Sequence, residues 1–299
     1  MLFSIKVIKM TIVVVTWLCG SILNSSIVAV YLREWKNGMS LGECDRTILT
    51  IGCNNFFLQC FLTSYEIMAI FELYGLFLKE FKVAGLIFFF FFNYITMWLT
   101  ACLSICYCVK LVSFSHELLI RLKRGMSSAI TLFLLGSVVL SGLINVPFIW
   151  TMDTEFLGNT TLTADNVIYK PDLKFLCFNI VIGSCVPILV TSLSIGLSVM
   201  SLRRHVQQMK NNTSQSWTPQ LKSHVRACRT MSLLLILNLI FFITFITVAL
   251  GLTQFKDILY WSVIMSGPSI EAVLLILGNT KLKTAFSKLV NFSHGLFIR

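Results

Sequence analysis

Apolar residues crowd into seven long runs, at 7–31, 47–71, 86–113, 126–150, 175–202, 226–251 and 256–278, with short polar stretches between them. A helix needs about 20 residues to cross a hydrocarbon core of roughly 30 Å, and every run is at least that long. The pattern predicts an all-α membrane protein, one seven-transmembrane helix bundle spanning residues 1–299, with 279–299 as a short cytoplasmic tail. The longest connections, about 151–174 and 203–225, are too short to hold a second domain. An odd number of crossings puts the two termini on opposite sides of the bilayer.

The basic residues set the orientation. Of 24 Lys and Arg, seventeen fall in the first, third and fifth connections and the tail, among them Arg33, Arg46, Lys110, Arg203, Arg226 and Lys281. The remaining seven, such as Lys6, Lys79 and Lys174, lie on the other side. The positive-inside rule then predicts an extracellular N-terminus and a cytoplasmic C-terminus in the plasma membrane. Lys6 and Lys9 run straight into a full-length span, which reads as a signal anchor and not a removed signal peptide. The net charge of +11 needs no nucleic acid; it is explained by topology and by an acidic or lipid partner at the inner surface. The sequon at Asn159 falls in the second outer loop and is the predicted glycosylation site. Those at Asn211, Asn212 and Asn291 are cytoplasmic on this topology, and the one at Asn24 lies inside the first helix.

Composition removes several classes. The chain is 56% hydrophobic and 12% charged, with 25 Phe, unlike a soluble domain of this length. Ten cysteines are present, but only Cys177 falls near the oxidising side, so no disulfide framework is expected. Cys102, Cys106 and Cys108 have no His or carboxylate at ligand spacing, and no metal or cofactor site is expected. No catalytic motif is found either, so the chain does not read as an enzyme. A small-solute transporter is the alternative from another class. It is poorly supported, because only Glu66 and Glu271 are acids within the spans and no internal repeat is visible.

The third run carries a more specific signal. Trp98-Leu99 leads to Cys102-Leu103-Ser104-Ile105, then Tyr107, Lys110 and Phe114-Ser115. Further along are Gly20 to Asn24, Trp35-Lys36, Pro187, Ser201-Leu202 with His205 and Met209, His224 to Thr230, and Leu275 to Lys283. In order and spacing these resemble the signatures of the type 2 (bitter) taste receptors over nearly the whole chain. The resemblance implies the G-protein-coupled receptor fold, a small-molecule bitter ligand and a gustducin-like heterotrimeric G protein, with homo- or hetero-oligomers left open. A vomeronasal type 1 pheromone receptor shares the architecture but lacks the Trp-Leu, Tyr-x-x-Lys and Phe-Ser run. Two departures stand out: Asn54-Asn55 replaces the family's second-helix Arg, and Glu271-Ala272 replaces its His-Ser pair after Pro268.

Site expectations combine this resemblance with side-chain chemistry. A bundle pocket is concave and mostly apolar, with few polar groups. Trp98, Met97, Cys102, Phe241, Phe245, Val248, Trp261 and Met265 are the candidate ligand-binding residues, soft and aromatic enough to suit many shapes. An aromatic on a transmembrane helix is also a common packing or lipid-facing residue; for Trp98 the resemblance favours the pocket. Lys110, Ser113, Phe114, His116, His205, Lys222, His224 and Arg226 are the candidate G-protein contacts. About half of these read equally as ordinary positive-inside residues. Asn24, Asn55, Pro187 and Glu271 are the candidate structural or switch positions, with Asn24 and Asn54 or Asn55 expected to meet Glu271.

Overall fold

A computed structural model of the chain describes residues 2–73, 78–111, 117–156, 167–211, 219–249 and 258–297. Helices α1 (Leu2–Lys36), α2 (Glu43–Ile70), α3 (Leu78–Leu111) and α4 (Glu117–Asn145) come first, then a single turn, α5 (Phe148–Thr151). Two short strands follow, β1 (Met152–Phe156) and β2 (Val167–Pro171), paired antiparallel with Met152 opposite Pro171. The fifth span combines α6 (Leu173–Ile180), a π-helical turn (Val181–Cys185) and α7 (Val186–Asn211). Then come α8 (Pro219–Ala249), α9 (Ile258–Gly278) and α10 (Thr280–Phe297).

Six of these segments are long and apolar enough to cross a membrane: Lys6–Lys36, Glu80–Leu111, Ser127–Trp150, Leu173–Arg204, Leu221–Thr247 and Trp261–Gly278. The remaining expected span corresponds to α2, which at 28 residues has the length but carries Asn54, Asn55 and Gln59 at mid-helix. All three are buried, so the polarity faces inward while Phe57 is 60% exposed on the outside. α2 packs between α1, α3 and α9 as a full member of the bundle.

The bundle is apolar outside as well as inside. On α4, Leu135, Val139 and Leu143 recur at helical spacing and are each more than half exposed. In water such a stripe would be an aggregation surface; in lipid it is the solvated face. α3 is the central helix, contacting α2, α4, α7 and α8. Its Leu99 and Leu103 join Ile27, Ile51, Leu234 and Leu275 in the main core.

Two features add to the sequence expectation. The 151–174 connection, too short for a second domain, contains the two paired strands; Val167 and Ile168 are β-branched, which suits a pleated strand. The tail is an 18-residue helix, α10. Its start is capped by Asn279, whose Oδ1 accepts from the Lys281 N–H at 3.0 Å, the usual way an orphan helix donor is satisfied.

Pro187 explains the irregular fifth span. Proline has no N–H, so the Gly183 carbonyl four residues earlier loses its α-helical partner. The chain accommodates this by widening into the π-helical turn. Gly183 permits a second adjustment there: a Cβ at this position would lie 2.5 Å from the Tyr94 ring. The ring therefore packs directly on the α-carbon, and the Tyr94 hydroxyl donates to Asn179 Oδ1. Asn179 in turn donates to the Ile144 carbonyl at 3.0 Å, tying α3, α4 and α6 together.

Candidate functional site

An aromatic cavity lies between α3, α8, α9 and the π-helical turn. Phe89, Phe90, Asn93, Tyr94 and Met97 come from α3, Ser184 from the π-turn, Phe241, Phe242, Thr244 and Phe245 from α8, and Ile264 from α9. Its volume is about 30 Å³, far below the several hundred Å³ that a drug-sized ligand fills. Entry of a ligand therefore requires side chains to move. Phe90 organises the cluster, stacking on Phe148 at 5.2 Å between ring centres and meeting Phe245 edge-on at 4.7 Å.

A second cavity of about 20 Å³ lies deeper and shares Phe89, Asn93, Met97, Phe241 and Ile264 with the first. Its far wall is polar: Asn55, Thr96, Asn238 and Glu271. Phe241 lines both, and its ring lies against the α9 backbone because Gly267 has no side chain; a Cβ there would sit 2.5 Å from the ring edge.

Glu271 is 3% exposed. Asn55 Nδ2 donates to its Oε2 at 2.8 Å, while its Oε1 has no hydrogen-bond partner among the described residues. Asn54 turns the other way, donating to Thr96 Oγ1 at 2.8 Å and to the Phe92 carbonyl at 3.1 Å. Asn24 does not reach the carboxylate. Its Nδ2 donates to the Gly20 carbonyl at 2.9 Å and to the Pro268 carbonyl at 3.2 Å. The expected trio is thus a pair plus a neighbour, because Pro268 brings a backbone acceptor of α9 within reach of α1.

Of the candidate ligand-binding residues, Met97, Phe241 and Phe245 are brought together around the cavity. Four are placed elsewhere. Trp98 points to α4, its ring centre 5.9 Å from that of Phe133. Cys102 is buried in the main core, 3.9 Å from Thr47 Oγ1. Trp261 and Met265 pack with Val13, Leu58 and Leu62 on the side of α9 facing α1 and α2. The Trp261 ring also carries the Lys9 ammonium 5.6 Å from its centre. Val248 is on α8, and its side chain lies outside the described residues.

The reason is helical phase. Adjacent residues in a helix differ by 100°, so Met97 faces the cavity while Trp98 and Cys102 face its neighbours. On α9 the cavity face is Ile264, Gly267, Pro268 and Glu271; positions 261 and 265 lie to one side of it. The residues sequence reading passed over, Phe89, Phe90, Asn93 and Tyr94, step back from Met97 by three or four at a time. That spacing was the available signal.

At the opposite end, Lys110 is engaged with Glu43 at 3.6 Å, and Ser201 Oγ donates to the Leu111 carbonyl at 3.3 Å, closing α3 against α2 and α7. Lys222, His224 and Arg226 lie together in the first turns of α8. His205 is on α7, and its side chain lies outside the described residues, as do Ser113, Phe114, His116 and Asn159 altogether. Lys281 binds both Glu34, at the end of α1, and Asp45 at 3.3 Å, at the start of α2. Its ammonium also lies 5.2 Å from the centre of the Tyr31 ring.

With this geometry in view, comparison with known proteins is decisive. A family model described as Taste receptor protein (TAS2R) matches residues 1–294. The chain belongs to the type 2 taste receptor family. Relatives agree along all or nearly all of their length. Taste receptor type 2 member 41 of Mus musculus is 27% identical over 312 residues, covering both chains completely. The same member in Pan paniscus is 29% identical, covering 94% of each chain. Taste receptor type 2 member 4 of Gorilla gorilla gorilla is 27% identical, covering 91% of this chain and 93% of its own. The family resemblance seen in the third helix is therefore the right one. The protein is a membrane-embedded signalling receptor of the seven-helix class, not an enzyme, and ligand binding and G-protein coupling come with the family.

Proposed function

We propose that this receptor detects bitter small molecules that enter from the hairpin end and signals through a gustducin-like heterotrimeric G protein at the α10 end. The observation that carries the reading is the aromatic cavity between α3, α8 and α9, in which Met97, Phe241 and Phe245 meet Phe89, Phe90 and Tyr94. Aromatic and thioether surfaces bind through shape-tolerant contact, which suits a wide range of apolar compounds.

In this proposal the hairpin and the N-terminus are extracellular, as the distribution of Lys and Arg supports. A ligand that favours an opened bundle shifts the equilibrium toward it by its difference in affinity for the two forms. The contacts that close the inner end, Lys110 with Glu43 and Ser201 with Leu111, are the ones to be released. Lys222, His224 and Arg226 then border the groove that receives a helix of the G protein.

The test is a calcium response in cells expressing this chain with and without a gustducin-like α subunit, screened with a panel of bitter compounds. A response that needs the G protein supports the proposal. Accumulation of a labelled compound without any G-protein requirement would mark a transporter instead.

A further inference from the structure

We propose that the inner cavity seats a protonated amine, with Glu271 as its counter-ion, so that the preferred ligands are apolar amines and not neutral or acidic molecules. This rests on the receptor reading above and names the ligand class that its pocket takes.

The carboxylate is 3% exposed, and one of its oxygens is committed to Asn55. The other, Oε1, has no partner among the described residues and lies on the wall of a cavity. Thr100 is close to the carboxylate but gives its only hydroxyl proton to the Thr96 carbonyl at 2.9 Å. Among the described residues no Lys, Arg or His lines either cavity, so none of them gives the acid a basic partner there. A buried carboxylate left half-satisfied is costly, and a cation with N–H donors is the group that relieves it best. The remaining lining supplies further acceptors for an ammonium, the side-chain oxygens of Asn55, Asn93, Thr96 and Asn238.

The route to this seat has matching chemistry. The outer cavity offers six rings, Phe89, Phe90, Tyr94, Phe241, Phe242 and Phe245. Their faces attract a passing cation and pack against an aromatic body. Phe241 lines both cavities and lies against Gly267, so a ligand long enough to reach Glu271 passes along that ring. An elongated molecule with an apolar or aromatic body and a terminal ammonium fits both halves. A carboxylate-bearing ligand would meet Glu271 as a like charge.

The test uses the full-length receptor purified in detergent and a homologous series of ω-phenylalkylamines, from benzylamine to 5-phenylpentylamine, each paired with its phenylalkanol. Binding is read as the concentration dependence of thermal stabilisation. The amine should bind at least about tenfold more tightly than the matched alcohol at the longer chain lengths. The advantage should shrink toward benzylamine, which cannot span the two cavities. In E271Q, which keeps the size and hydrogen-bonding capacity of the side chain, amine and alcohol should converge. Should that variant not fold, the chain-length profile of the natural protein still decides. An amine advantage independent of chain length, its absence, or its persistence in E271Q would each overturn the proposal. A receptor that signals to bitter compounds yet shows no amine preference loses only this inference. Amine binding at Glu271 without any G-protein response would sink the signalling reading and leave this one standing.

Discussion

Glu271 and Gly183 show how single residues set the behaviour of this bundle. An acid at mid-span costs roughly 2.5–3.5 kcal/mol on insertion scales, and here Asn55 offsets part of that cost through one hydrogen bond. We propose that this α2–α9 link biases the resting bundle. Glu271→Gln should leave basal signalling near normal, while Glu271→Leu, which strands the Asn55 amide, should raise basal signalling or reduce surface expression. Normal behaviour of both, in a ligand-free G-protein assay with surface labelling, would show that the link carries no bias. Gly183 is constrained by contact: an added methyl group meets the buried Tyr94 ring, which is held by its hydrogen bond to Asn179. Gly183→Ala should cost about 1–3 kcal/mol, seen as a lower melting temperature of the purified receptor. The acid and the Asn pair were legible in the sequence as polar residues in apolar runs. The Gly183 contact was not, since it depends on the π-helical turn that Pro187 induces.

Helical phase separates what was readable in the elements from what was not. Run length predicts seven spans, because a hydrocarbon core demands it, and among the described residues six helices are long and apolar enough to cross. Which face of α3 or α9 looks inward is a finer matter, since both are surrounded and Trp98, Trp261 and Met265 are as apolar as the cavity residues beside them. In a soluble protein the polar face would mark the outside; in lipid that contrast is missing. The tail helix was hidden for a different reason: its docking depends on distant partners. Burial draws the Lys281 pKa down, but hydrogen bonds and charge from Glu34 and Asp45 outweigh this and raise it overall. A lysine pKa raised on folding contributes stability that is complete below the ordinary lysine range and is lost as pH climbs through the raised value. The α10 anchor should therefore hold throughout the neutral range. Lys281→Met should release it at a cost of about 1 kcal/mol, a value suited to partly exposed pairs. Faster proteolysis within 280–297 would show this; an unchanged digestion pattern would mean that the capping and apolar contacts of α10 suffice alone.

For the whole molecule, topology, family and pocket have to agree. The charge asymmetry predicts that Asn159, in the segment joining β1 and β2, carries a glycan. Asn159→Gln should sharpen and speed the band on a gel, whereas changing Asn211 and Asn212 together should do nothing; the reverse would invert the orientation. The family was legible because its signatures recur in order over nearly the full chain. The ligand site was less so, since it arises where four separated segments converge. The central claim is that ligands are received by the cavity face of α3 and α8, not by the Trp98 face. The most direct measurement is a set of agonist dose–response curves for Phe241→Ala, Met97→Ala and Trp98→Ala at matched surface expression. We expect right-shifts of about tenfold or more for the first two, from the loss of buried contact area, and a clearly smaller shift for Trp98→Ala. Loss of response confined to Trp98→Ala, with Phe241→Ala and Met97→Ala unchanged, would contradict the account.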